Sequence, residues 1–269
     1  KQLFIVASFK GGVIDGILPL YKEKNYLKCI GSYPDLYDSL DILYENESSL
    51  IRIIEFVLQS PYTLDFRWVP ASSSAIYYLR QCSNKRNLYI KASVDDEIPY
   101  IELQEDQYKI PKKIHQDVMR CISKIERDYS ELEFRYEDFS NDVLDVLINL
   151  HIKKWNGGPF KDILGFRNFV ETVMRNQLAT VSTLSLNGQI IAAHLAYKNS
   201  DGSITSAIPA YDSDYAMYSP GKVLLYMLIS EVQKRNLNFD FGRGDEHYKR
   251  WFTSSSASLC NVRVFKSGN

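Results

Sequence analysis

The sequence predicts an α/β chain built of two related halves, and three observations predict it. Val6–Tyr21 and Val181–Tyr197 each read as two strand-like runs around a tight turn, Gly11-Gly12 in one and Asn187-Gly188 in the other. Each hairpin is followed by a helical stretch, Glu47–Gln59 in the first half and Lys222–Lys234 in the second. Each of those is followed by a short strand of nearly the same letters, Leu64-Asp65-Phe66-Arg67 and Phe239-Asp240-Phe241-Gly242-Arg243.

The remaining elements fit around this frame. A second helical stretch follows each short strand, Ser72–Gln81 and Glu246–Phe252. Asn87–Val94 and Ile98–Leu103 read as two strands closing the first half, and Pro111–Asp128 as a helix joining the halves, with Pro in its first turn. Leu132–Tyr136 is strand-like; Asp142–Trp155 and Phe166–Asn176 are helical, with Gly157-Gly158-Pro159 breaking between them. Leu178–Leu186, Gln189–Lys198 and Ser203–Pro209 form a meander, and Leu259–Phe265 is the last strand. The expected division is an N-terminal half, 1–108, and a C-terminal half, 109–269.

Composition narrows the function classes. In 269 residues, 32 Lys plus Arg face 33 Asp plus Glu, a net charge of −1, which argues against a sequence-blind nucleic-acid binder. With 45% hydrophobic and 24% charged residues the chain is of ordinary globular type. The most apolar run, Val223–Ile229, is too short to span a bilayer. Cys29, Cys82, Cys121 and Cys260 are widely spaced with no CxxC pair, which argues against structural zinc and fits a reducing, cytoplasmic compartment. The chain opens with Lys1 at the edge of a strand-like run, so upstream residues are expected. The 19 Tyr and 13 Phe against 3 Trp are either ordinary core aromatics or stacking surfaces for a sugar or base.

Two stretches could carry chemistry. In Pro209–Ile229, Ser219 reads as an N-cap, Pro220 as the first helical residue, and Gly221 as a point of close approach. The amides of Ser219–Val223, the helix dipole and Lys222 suit a phosphate or pyrophosphate; a plain capped core helix reads the same way. In Asn238–Phe252, a strand bearing Asp240 meets Gly242 and Gly244, followed by Asp245, Glu246, His247, Tyr248, Lys249 and Arg250. The GxG is no dinucleotide fingerprint, because His247 stands at the third glycine and no acid-tipped strand follows. Gly221-Lys222 lacks the rest of a P-loop, and no GxSxG elbow occurs.

Tyr211-Asp212, Ser219-Pro220-Gly221, Asp240-Phe241, Gly244-Asp245, Tyr248-Lys249 and Trp251, in this order after a hairpin, closely resemble the CelD-like (cellulose-biosynthesis-type) acetyltransferases of the GNAT superfamily. The motif-bearing likeness covers about Leu178–Phe265. It implies two tandem GNAT-like domains, each a mixed, mostly antiparallel sheet flanked by helices, as in tandem sugar N-acyltransferases. It also implies an acyl-CoA co-substrate and no metal. Tyr218, Ser219, Gly221, Lys222 and Val223 would then hold coenzyme A, although Tyr218-Ser219-Pro220-Gly221 replaces the usual pyrophosphate loop.

Acyl transfer to an amine needs a proton acceptor, oxyanion stabilisation and a proton for the leaving thiolate. His194, with an ordinary pKa near 6.5, is the first candidate acceptor. Asp240 and Asp212 are its rivals, and a strand histidine is commonly a satisfied core residue. The resemblance implies that Tyr248, on the helix after the strand of Asp240, protonates the thiolate; Asp245 either assists or only caps that helix. The expected acceptor is the amino group of a nucleotide-linked sugar in the cleft between the halves, held by Tyr211, Asp212, Arg67, Arg243 and Lys249, the cations neutralising its diphosphate. Two other classes share the frame: a Fem-like aminoacyl-tRNA-dependent transferase, and a non-catalytic GNAT-like protein of polysaccharide synthesis.

Overall fold

The computed structural model describes residues 1–32, 38–102, 108–137, 140–155 and 163–266, the side chains of 154, 155 and 163 excepted. The Gly157-Gly158-Pro159 break lies outside the described residues, as does the expected strand end at Leu103. By packing the chain forms two units, Lys1–Ile98 with Ser256–Asn269, and Pro99–Ser255.

The first unit begins with the expected hairpin, β1 (Gln2–Lys10) and β2 (Val13–Glu23). Gly11 and Gly12 turn it at φ +60° and +83°, which glycine adopts without strain. A short β3 (Tyr26–Cys29), not foreseen, runs antiparallel to β2 and parallel to β5 (Thr63–Pro70), while the two-residue β4 (Leu43–Tyr44) also pairs with β2. Between them α1 (Glu47–Val57) starts at a capping box: Asn46 accepts the Ser49 amide and Ser49 accepts the Asn46 amide. Ser73 accepts the Ala75 amide at the start of α2 (Ser74–Lys85).

The second unit carries β7 (Leu132–Arg135), β8 (Ala179–Leu186), β9 (Gln189–Lys198) and β10 (Ile204–Tyr211), each antiparallel to the next, then β11 (Phe239–Asp240) parallel to β10. Alternation along β9 divides its core. Ala192 and Ala196 pack with α3 (Lys112–Asp128) and α6 (Pro220–Lys234), whereas Ala193 and Leu195 face α4 (Asn141–Trp155) and α5 (Ile163–Arg175). The result is a mixed α/β fold with mostly antiparallel sheet flanked by helices.

Two strands explain why packing does not follow chain order. Asn87–Val94 and Ile98–Leu103 are one strand, β6 (Tyr89–Ile101), whose end pairs antiparallel with β11. The final strand, β12 (Ser256–Phe265), pairs antiparallel with β5. Each unit thus completes its sheet with a strand from beyond the half to which its neighbours belong in sequence. No helix among the described residues is long and apolar enough to cross a membrane.

Candidate active site

β10 and β11 pair at Ile204↔Phe239 and Thr205↔Asp240 only, and β10 then continues to Tyr211 while β11 ends. Where the parallel strands part, a cavity of about 390 Å³ opens. Pro209, Tyr211 and His194 line its sheet wall, and Ser219, Pro220, Gly221, Lys222 and Leu225 its helix wall; Tyr248, Trp251 and Phe252 close it. Six of the candidate catalytic and binding residues therefore meet in one place: His194, Tyr211, Ser219, Gly221, Lys222 and Tyr248.

The start of α6 differs from the expected cap. Ser219 is left-handed (φ 51°, ψ 50°) and its side chain makes no capping bond. Its carbonyl instead accepts the Lys222 and Val223 amides at 3.0 and 3.1 Å, and its own amide donates to Ala216. Pro220 has no N–H, so among the described residues Gly221 is the amide of this turn left for a ligand. Val223 is wholly buried. What this helix start offers an anion is thus the Gly221 amide, the Lys222 charge and the helix dipole, rather than a cradle of successive amides. Lys222 extends its ammonium over the Trp251 ring, 4.4 Å from the centroid, and the Trp251 indole donates to His247 Nδ1 at 3.0 Å. Trp251 was visible in the sequence as a motif letter, but its contact with Lys222 was not.

Tyr218, expected to touch the coenzyme, turns away: its ring is buried and its hydroxyl donates to Asp128 Oδ2 at 2.9 Å. That carboxylate pushes the phenol pKa up to about 12. Asp212 caps the 3₁₀ turn Ser213–Tyr218 through the Asp214 amide and pairs with Lys153 at 2.7 Å. The Lys153 ammonium holds the Asp212 carboxyl below its ordinary value. Lys153 carried no signal in the sequence, since charged residues abound on helices.

His194 sits in β9 and is 3% exposed. Its Nε2 shares a 2.8 Å hydrogen bond with Ser206 Oγ. Burial lowers its pKa to about 4, well under the expected 6.5, so the ring is neutral at pH 7 and a weak base. Asp240 accepts the Gly242 amide on Oδ1 at 2.6 Å and the Thr205 hydroxyl on Oδ2 at 3.5 Å, which orders the turn after β11; it is not among the cavity's lining.

The Gly242–Trp251 segment corrects the sequence most. The helix expected over Glu246–Phe252 is a single 3₁₀ turn, Lys249–Trp251, with Tyr248 just ahead of it. Asp245 therefore caps no α-helix; it is exposed and pairs with Arg250 at 2.5 Å. Lys249 does not reach for substrate. It is 2% exposed, and its ammonium donates to the carbonyls of Gly242, Arg243 and Gly244 at 2.9, 2.7 and 3.1 Å and pairs with Glu246 at 2.8 Å. Gly242 and Gly244, at φ +74° and +99°, allow the loop to turn its carbonyls onto that one charge. Lys249 is a positioning residue that shapes the loop leading to Tyr248. Arg243 is half-buried in this loop, and Arg67 is exposed on β5 of the first unit. Among the described residues no three His, Cys, Asp or Glu side chains group as metal ligands would.

Comparison with known proteins places this geometry. The C-terminal domain of a putative lysylphosphatidylglycerol synthetase from Agrobacterium fabrum superposes with a TM-score of 0.67 at 12% identity, over 99% of this chain and 84% of that one. L-PGS from Bacillus licheniformis gives 0.64 at 16% identity, over 95% and 82%. FemX gives 0.68 at 10% identity, over 98% and 87%. These likenesses are of fold. No curated protein sequence matches. The family model described as the acetyltransferase (GNAT) domain matches residues 112–250, just over half of the chain and all of the cavity's lining except Trp251 and Phe252, and the chain belongs to that family.

Proposed function

We propose that the protein is an N-acyltransferase that moves an acyl group from a coenzyme A thioester to an amine by direct attack, in the cavity between β10 and α6. The observation that carries the reading is the convergence of a helix start suited to an anion (Gly221, Lys222), a phenol (Tyr248) and a sheet wall (His194, Pro209, Tyr211) on one cavity. The order of motif letters supports placement near the CelD-like branch. The same sequence of pairing senses in β2–β3–β5 and β9–β10–β11, antiparallel then parallel with a helix between, supports a tandem arrangement.

Lys222 and the Gly221 amide bind a phosphate of the coenzyme, which directs the acyl group along β10. The amine nitrogen enters uncharged and attacks the thioester carbonyl carbon. The carbon–sulfur bond then breaks, the thiolate takes the Tyr248 hydroxyl proton, and the acylated nitrogen releases its extra proton to water. Tyr248 regains a proton from water, so no covalent acyl-enzyme forms. The aminosugar acceptor remains the preferred amine on the strength of the tyrosine-rich composition alone, since Lys249 is committed to its own loop.

One observation favours a second reading, a Fem-type transferase with an aminoacyl donor: the chain resembles FemX in fold over 98% of its length. Calorimetry with coenzyme A, followed by thiol-release assays across acyl-CoAs with aminosugars, separates the two. Binding that weakens at least about ten-fold in Lys222→Glu supports the first reading. No coenzyme A binding, with transfer from an aminoacyl-tRNA, replaces it with the second.

A further inference from the structure

His194, in the sheet wall of the cavity, belongs to a buried polar row that the transfer chemistry does not use. His194 stands opposite Ser182 of β8 in the strand register, and its Nε2 is bonded to Ser206 of β10. Hydroxyl, imidazole and hydroxyl thus span three neighbouring strands. All three are buried, at 0%, 3% and 5% exposure for Ser182, His194 and Ser206. Ser182 Oγ has no hydrogen-bond partner. On either side along β9, Ala192 and Ala196 are fully buried and small, so the imidazole is the bulk of this strand's polar surface at the cavity. Opposite it in β10 stands Pro209, which has no N–H to offer.

A buried polar row is costly in an apolar wall unless its hydrogen bonds are made. Leucine and alanine would fill these positions more stably if the ligand were a plain alkyl chain. Among the described residues no charged side chain is paired with the row, so an ionised group lodged against it would lack a counter-charge. A neutral donor or acceptor satisfies both conditions.

We propose that the His194–Ser206 pair determines acyl specificity, selecting an acyl group that bears a neutral hydrogen-bonding substituent such as a hydroxyl. The inference rests on the reading of the cavity as the acyl-CoA site and deepens it. His194 is then a specificity-determining residue and not the base that accepts the amine proton. Its burial keeps the imidazole neutral, as this role requires.

Calorimetry tests it without knowledge of the acceptor. The titrants are coenzyme A, butyryl-CoA, 2-hydroxybutyryl-CoA and 3-hydroxybutyryl-CoA, and the proteins are wild type, His194→Leu and Ser206→Ala. The expected result is that one hydroxyacyl-CoA binds wild type at least about ten-fold more tightly than butyryl-CoA, as a hydrogen bond in a dry site allows. His194→Leu should abolish that ratio and Ser206→Ala reduce it. If neither hydroxyacyl-CoA is preferred by wild type, or if His194→Leu keeps the preference, the inference is overturned while the acyl-CoA reading stands. Should coenzyme A itself fail to bind wild type, the acyl-CoA reading fails and takes the inference with it. The wild-type comparison decides the matter even if His194→Leu does not fold.

Discussion

The ring of Tyr211 lies over the backbone of Gly221, so close that a Cβ at position 221 would come within 3.1 Å of Tyr211 Cδ1. Glycine here lets the aromatic wall of the cavity close on the helix start. Gly221→Ala should therefore cost about 1–3 kcal/mol through overpacking. Urea unfolding measures it, and Tyr211→Leu in the same background should restore part of the loss. An unchanged midpoint in Gly221→Ala would mean that the Tyr211 ring moves aside freely.

Lys249→Met should destabilise more. It removes one buried ammonium and leaves the carbonyls of Gly242, Arg243 and Gly244 without their donor. Leaving three carbonyls without their charged donor costs on the order of 3 kcal/mol or more in all. Because the loop also leads to Tyr248, kcat should fall with it. A variant as stable as wild type would show that water replaces the ammonium at those carbonyls.

Under the proposed mechanism, in which the Tyr248 proton is delivered only as the thiolate departs, Tyr248→Phe should leave the fold intact and lower kcat on the order of 10²-fold with KM little altered. Single-turnover measurements isolate that step. An unaltered single-turnover rate would remove Tyr248 from the chemistry.

Stability should depend on His194 in acid. Its folded pKa of about 4 lies below the ordinary 6.5, so between these values the unfolded chain binds a proton that the folded chain does not. Stability is full above pH 6.5 and falls as pH drops toward 4, by an amount on the order of 3 kcal/mol from this residue. Thermal melts from pH 7.5 to 4.5 should show a smaller slope in His194→Gln than in wild type. Equal slopes would mean that the imidazole reaches water when charged.

The sequence by itself determined the local elements whose cause is local. The Gly11-Gly12 and Asn187-Gly188 hairpins need only turn glycines between alternating apolar runs, and both form where the letters put them. The helices α3 and α6 hold their limits within two residues of the expected ones, each with a proline beside its first turn. Motif order was also enough to reach the GNAT family, although the matched region begins at 112, well before the motif letters.

What needed the tertiary structure was every property set by distant partners. Nothing near Lys249 in the chain says that three carbonyls will turn onto it, and an ammonium beside tyrosine reads equally well as a substrate cation. The depressed pKa of His194 is a matter of burial, to which alternation in a strand gives a side but not a depth. The polar segment Glu246–Phe252 has helical letters, yet the Lys249 clamp holds it to a single 3₁₀ turn. The two strands that complete each other's units were invisible for the same reason: pairing β6 with β11 and β12 with β5 joins residues more than a hundred positions apart, a choice made by available sheet edges and not by the letters of either strand.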